Sequence, residues 1–181
     1  MNLEPHCTFA QLFDELDQYQ QRVPLDLLVS RITRLRVEWH LIEPYIRFAP
    51  DTYRRNLMHA GPAYQALILC WKSGQRSPIH DHRGSSCAVR VLGGTCTETL
   101  FDRSPTGLVF PTTTHQLPAG SCCGSQDADI HQISNLGAAN EPLITLHIYA
   151  PPLMVMGQYS LTSVERAEFV EPDYFLEGAG I

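Results

Sequence analysis

The stretch Ser77–Cys87, SPIHDHRGSSC, sets two histidines, His80 and His82, one residue apart. That spacing means different things on the two regular backbones. On a strand, side chains alternate between faces, so both imidazoles lie on one face and reach one point in space. On a helix, two histidines that share a ligand stand at i and i+4 instead. The residues that follow decide the matter. SCAVRVLGG (86–94) and TCTETLF (95–101) are short, apolar or alternating, and show no helical period. The histidine pair therefore belongs to a β region.

The same texture extends in both directions after Pro50. YQALILCW (64–71) and LITLHIYAP (143–151) are further candidate strands, separated from their neighbours by Gly, Pro, Asn and Asp clusters. LGG followed by TCTETLF predicts a tight hairpin at Gly93–Gly94. Several short strands at close spacing indicate a sandwich or a barrel, with jelly-roll barrels among the choices.

Before Pro50 the pattern is helical. TFAQLFDELDQY (8–19) places Phe9, Leu12, Phe13 and Leu16 at helical spacing behind a Thr8 cap. A second helix is expected over Leu25–Ile32 with Pro24 in its first turn, and RLRVEWHLIEPYI (34–46) reads as a further helix ending near Pro44. The C-terminal SVERAEFVEPDYFLEGAGI (163–181) is acidic and is expected to form an exposed helix or arm. The expectation is one domain, with a helical part over about 1–50, a β-barrel over about 51–160 and the arm over about 161–181.

Bulk properties exclude several classes. The net charge of −6 argues against a nucleic-acid or anionic-membrane partner, which would want a basic face. No apolar run approaches the roughly 18 residues needed to span a bilayer. The N-terminal MNLEPHCTFAQLFDELDQY has neither a basic nor an apolar signal region, so a cytoplasmic protein is expected. In that setting the six cysteines, Cys7, Cys70, Cys87, Cys96, Cys122 and Cys123, are expected to be thiols. No CxxC pair offers a zinc-cysteine site, and no GxGxxG or GxxxxGK[ST] offers a nucleotide site.

Two imidazoles alone hold a metal weakly, so a third donor is needed. His131, in DADIHQISN (127–135), follows a turn far downstream, and a jelly roll can bring it back to the pair. His6, His40, His59 and His115 read as ordinary histidines, and Cys70 and Trp71 as packing residues. Three neutral nitrogens would leave the full charge of a divalent ion uncompensated. The residues after His82 (Arg83, Gly84, Ser85, Ser86, Cys87) supply no carboxylate ligand. Such a centre suits an anionic substrate that brings its own donors, and it suits zinc with a bound water; ligand type alone does not separate iron from zinc.

Taken together, these stretches resemble the cysteine dioxygenases, a family of the cupin superfamily. YRRNLM (53–58), LILCW through IHDH (67–82), ETLF (98–101), IHQISN (130–135) and LHIYAPP (146–152) match its segments in order. The resemblance implies a mainly β fold, a cupin jelly-roll barrel with N-terminal helices. It implies that His80, His82 and His131 bind Fe(2+), and that L-cysteine and O2 are the substrates of an oxidation to cysteine sulfinate. Arg55, with Tyr53 close by, would hold the substrate carboxylate, for which a guanidinium offers two parallel hydrogen bonds. Tyr149 would face the substrate, positioned by His147 and by Thr145, which stands where the family has serine. Cys87 stands where the animal-type enzymes have a cysteine joined to that tyrosine in a thioether. A monomer is expected. The rivals are a dioxygenase for another small thiol such as 3-mercaptopropionate, a non-catalytic metal-binding cupin, and a zinc hydrolase. The hydrolase lacks a carboxylate base adjacent to the histidine pair.

Overall fold

The computed structural model describes residues 6–170. Among them, eleven strands form two antiparallel sheets that face each other. The first sheet runs β1 (Arg54–Gly61), β2 (Tyr64–Trp71), β9 (Leu143–Ala150), β4 (Ser86–Gly93), β7 (Cys122–Gln126). The second runs β11 (Ala167–Val170), β10 (Val155–Tyr159), β3 (Ile79–His80), β8 (Ile130–Ser134), β5 (Thr95–Arg103), β6 (Val109–Pro118). This is the mainly β jelly roll that the sequence led us to expect.

Strand β2 explains its own composition. Every one of its residues is buried, because both of its faces are covered. Ala66, Ile68 and Cys70 point outward and pack with Ala88, Leu146, Ile148 and Ala150 beneath the N-terminal helices. Leu67, Leu69 and Trp71 point inward, with Cys87, Val89, Val91 and Tyr149, into the space between the sheets. A strand covered on both sides reads as an unbroken apolar run, as YQALILCW does. By contrast β6 is exposed almost from end to end, and Pro111 and Pro118 on this edge strand discourage pairing with another chain.

Helix α1 (Phe9–Leu16) starts with a capping box, Thr8 accepting from the Gln11 N–H while the Gln11 side chain accepts from the Thr8 N–H, and buries Phe9, Leu12 and Leu16 against the first sheet. Helix α2 (Leu25–Arg34) begins directly after Pro24, which caps it from outside the first turn. Arg90 reaches out from β4 and donates to the carbonyls of Ile32 (2.6 Å) and Leu35 (2.5 Å) at the end of α2, where a cation is favoured.

The expected continuation of this helix to Pro44 does not form. Leu35 is extended, and only Trp39–Ile42 (α3) and a 3-10 turn at Glu43–Tyr45 follow. The N-terminal segment accounts for the break: Cys7 donates to the Arg34 carbonyl (3.1 Å) and accepts from the Arg36 N–H (2.8 Å), pairing with backbone that a helix would have used.

The expected hairpin at Gly93–Gly94 is also corrected. Strand β4 lies in the first sheet and β5 in the second, so the chain turns a corner between sheets there. Gly94 has φ +78, and a Cβ on it would lie 2.5 Å from the Pro142 carbonyl oxygen, so the corner requires glycine. Alternation in sequence is the same whether the next strand pairs with the last or crosses to the opposite layer. At the C-terminal end, Ala167–Val170 is a strand paired with β10, not a helix; residues 171–181 of the expected arm lie outside the described residues. No helix among the described residues is long and apolar enough to cross a membrane.

Candidate metal centre

The two sheets bring three distant histidines to one point. His80 on β3 stands directly opposite His131 on β8. His82 is not on the strand as expected: β3 ends at His80, and the chain enters a loop. That loop is fixed by backbone bonds. The His82 and Arg83 N–H groups both donate to the Asp127 carbonyl, at 3.0 and 3.1 Å, and Ser85 N–H donates to the His82 carbonyl at 2.9 Å. Arg22 clamps the Asp127 carboxylate from the helical layer, with contacts of 2.6 and 3.0 Å.

The rings nevertheless converge, with centroids 5.3 Å (His80–His82), 4.7 Å (His80–His131) and 4.8 Å (His82–His131) apart. One ligand atom from each lies within 4.8 Å of the others, and all three residues are buried. Asp81, the middle residue of the HDH triplet, has its own use. It accepts from the Gly157 N–H (2.9 Å), the Tyr159 hydroxyl (2.6 Å) and Arg166, and so fastens β10 and β11 to the histidine loop. It is 3% exposed and fully engaged, so it is not a base waiting for a water.

The donor set fits a metal ion. Both ring nitrogens of His82 are buried without a hydrogen-bond partner, a condition that costs on the order of 1–3 kcal/mol when nothing answers it. His80 directs Nδ1 to the Pro78 carbonyl (3.0 Å) and His131 directs Nδ1 to the Glu98 carboxylate (2.8 Å), which leaves Nε2 of each for coordination. Burial, and after it the proximity of His131, pushes His80 down to about 3. The same causes, with His80 added, hold His82 well below the usual histidine range. Both rings are therefore neutral donors at pH 7 and have no proton to lose when a cation binds.

The first sheet supplies the facing wall. Thr145, His147 and Tyr149 lie on one face of β9, as the spacing of two predicts. His147 bridges its neighbours, with Nε2 3.0 Å from the Thr145 hydroxyl and Nδ1 3.1 Å from the Tyr149 hydroxyl. Burial and then the charge of Arg55 hold His147 well below its ordinary range, so it too is neutral. Trp71, expected only to pack, extends this series: its Nε1–H donates to the Thr145 hydroxyl at 3.1 Å. The Tyr149 ring lies 6.5 Å from that of His82.

Cys87 on β4 is the direct cross-strand partner of Tyr149, and both are buried. Burial above all pushes the Cys87 thiol up to about 12, so it is protonated. Arg55 projects inward from β1, opposite Leu69, with its guanidinium carbon 5.2 Å from the centre of the Tyr149 ring. Tyr53 stacks on Trp71 with ring centres 4.1 Å apart, which sets it beside the inner end of the hydrogen-bond series.

Three contributors escaped the sequence reading: Glu98, Asp81 and the Trp71 indole. Glu98 had one available signal, since it falls two residues after Cys96, in the same register of an alternating strand. A buried carboxylate then needs a partner. Burial raises its proton affinity, but the hydrogen bond and charge of His131 outweigh this and hold Glu98 below the ordinary carboxylate value.

Comparison with known proteins follows the same line. Residues 3–162 match the family described as cysteine dioxygenase type I. The chain is 34% identical over 119 residues to cysteine dioxygenase type 1 of Rattus norvegicus, covering 64% of this chain and 58% of that protein. It is likewise 34% identical over 120 residues to the Homo sapiens protein of that name, with the same coverage. The match thus spans less than two thirds of the length of these relatives. Among solved structures, a Thermus thermophilus protein superposes with TM-score 0.52 at 17% identity, covering 61% of this chain and 94% of that one. A Klebsiella pneumoniae protein with a double-stranded β-helix domain gives TM-score 0.52 at 18% identity, covering 61% and 81%. At that identity the two structures show a shared fold and nothing more.

Proposed function

We propose that this chain, which belongs to the cysteine dioxygenase type I family, is an iron(II) enzyme that oxidises the thiol of L-cysteine with O2 to cysteine sulfinate. One observation carries the reading: three imidazoles, a guanidinium and a phenol converge between the sheets, with no carboxylate among the three metal donors. A thiolate substrate supplies the negative charge that such a donor set lacks.

Bound ferrous iron would supply acidification of the substrate thiol and the redox route between sulfur and O2. Sulfur gives up all four electrons and both oxygen atoms end on it, so no external reductant is needed. The protein's part is to hold and orient. Arg55 takes the substrate carboxylate in a charge-assisted pair while its face rests on Tyr149, and Tyr53 closes that end of the site.

The polar series behind Tyr149 has a direction. Trp71 Nε1 only donates, so it uses a lone pair of the Thr145 hydroxyl; in the order we propose, the Thr145 proton goes to His147 Nε2. With that tautomer His147 donates Nδ1–H to the Tyr149 oxygen, and the phenolic proton turns away from His147, to the side where the substrate would lie and where Tyr149 also hydrogen-bonds with Cys87. A protonated His147 would carry hydrogen on both nitrogens, so Nε2 would no longer accept from Thr145; the neutrality of the ring is part of the device. The methyl group of Thr145 stiffens the hydroxyl that starts it.

The cross-strand pairing of Cys87 with Tyr149 supports a further part of this proposal, a covalent link between them. Formation of a thioether between Sγ and the phenol ring removes one hydrogen from each and passes two electrons to O2. The product is a cross-link that fixes the phenol. After many turnovers with cysteine and O2, peptide mapping should find the Cys87 and Tyr149 peptides joined with the loss of two hydrogens. An unchanged mass would remove the cross-link from this account while leaving the dioxygenase reading in place.

Free thiols at all six cysteines, and with them a cytoplasmic location, belong to this proposal. The deciding assay is anaerobic metal analysis followed by oxygen uptake and sulfinate formation. L-Cysteine is expected to show the higher kcat/KM, and a large advantage for 3-mercaptopropionate would overturn the substrate assignment. Tight metal binding without thiol-dependent oxygen uptake would overturn the enzyme.

A further inference from the structure

We infer that Glu98 is a positioning residue of the metal centre, supplying from behind His131 the negative charge that the three ligands lack. This rests on His80, His82 and His131 being the ligands. Glu98 lies on β5, two positions along from Leu100, the cross-strand partner of His131. Its carboxylate meets His131 Nδ1 at 2.8 Å, and the side chains are 6% and 2% exposed. A carboxylate so buried is costly unless a cation answers it. Among the described residues no lysine or arginine forms an ion pair with Glu98. The Cys123 thiol also contributes a hydrogen bond, but it is neutral. The charge of His115, the cross-strand partner of Glu98 on β6, also favours the ionised carboxylate, but His131 is the imidazole in hydrogen-bond contact with it, so a cation on the far nitrogen of His131 is the one coupled to Glu98 through that bond.

The three candidate ligands are not equivalent in this respect. His80 is backed by the uncharged Pro78 carbonyl, His82 by no hydrogen-bond partner, and His131 by a carboxylate. An anionic partner makes the imidazole a stronger donor, fixes Nδ1 as the protonated nitrogen and aims Nε2 at the ion. Glu98 thus takes the part of a carboxylate ligand at one remove, and the coordination face that a direct ligand would occupy is kept for substrate. Negative charge also stabilises a triply charged ion more than a doubly charged one, so Glu98 lowers the ferric/ferrous potential.

The test compares unsubstituted protein with Glu98→Gln, which keeps the shape and an acceptor oxygen but removes the charge. Ferrous ion alone is titrated anaerobically, and the ferric/ferrous midpoint potential is measured without substrate. The variant is expected to bind ferrous ion about 10–100-fold more weakly and to show a raised potential, about 59 mV for each tenfold by which ferric affinity falls further than ferrous. Affinity and potential matching the unsubstituted protein would overturn the role of Glu98 alone. Failure of the unsubstituted protein to bind ferrous ion would remove the ligand assignment and this inference with it.

Should the variant not fold, nitrogen NMR of the unsubstituted, zinc-loaded protein decides. The expected result is metal on His131 Nε2 and a slowly exchanging, hydrogen-bonded proton on Nδ1. Metal on Nδ1, or a freely exchanging proton there, would overturn the inference.

Discussion

Replacing any one of His80, His82 or His131 with alanine is expected to abolish metal retention and thiol-dependent oxygen uptake together. Three neutral nitrogens are a minimal set, and each substitution leaves two. Losing an outer hydrogen-bond partner of a ligand already costs about 10–100-fold in affinity, and losing the ligand itself should cost more. The replacements also differ in what they leave behind. His82→Ala removes a buried ring whose nitrogens have no other hydrogen-bond partner, so the metal-free protein should tolerate it well. His131→Ala strands the Glu98 carboxylate and should destabilise the metal-free fold as well. Metal content by elemental analysis, with thermal unfolding of the metal-free proteins, separates the two effects. A variant that keeps both iron and full turnover would refute the ligand set.

Arg55→Ala should produce the second largest effect, confined to substrates that carry a carboxylate. Truncating one partner of a buried, hydrogen-bonded charge pair costs about 2–5 kcal/mol, which corresponds to a fall in kcat/KM of roughly 30-fold to several thousand-fold. Most of it should appear as a raised KM for L-cysteine. Arg55→Lys keeps the charge but not the planar fork, so it should fall between the two. Cysteamine, which lacks the carboxylate, provides the control: its turnover should change little on Arg55→Ala. An equal loss for both thiols would mean that Arg55 acts through the Tyr149 ring it covers, not through the substrate.

The candidate site was legible wherever its residues lie near one another in sequence on a regular backbone. Thr145, His147 and Tyr149 share a strand, and a period of two is enough to place them on one face. His80 and His82 were expected to share one strand face, and their rings do converge, but on partly different backbone. Only His80 is in the strand, and His82 is aimed by a loop that hangs on the Asp127 carbonyl, a contact of no local sequence signature. Glu98 stayed out of sight because its meaning depends on His131, 33 positions away on the neighbouring strand. Trp71 was read as packing because an apolar strand gives no hint that its indole N–H meets a hydroxyl on the strand alongside.

The fold divides in the same way. Periodicity and punctuation determined the helical beginning, the β remainder, the Thr8 cap and most strand positions, because these are properties of a backbone and its immediate neighbours. Only the tertiary structure decided which strand follows which in a sheet. It turned the Gly93–Gly94 hairpin into a corner and broke the third helix at a bridge to Cys7. The physical reason is that pairing energy belongs to two segments at once, and either segment taken alone satisfies several partners equally well.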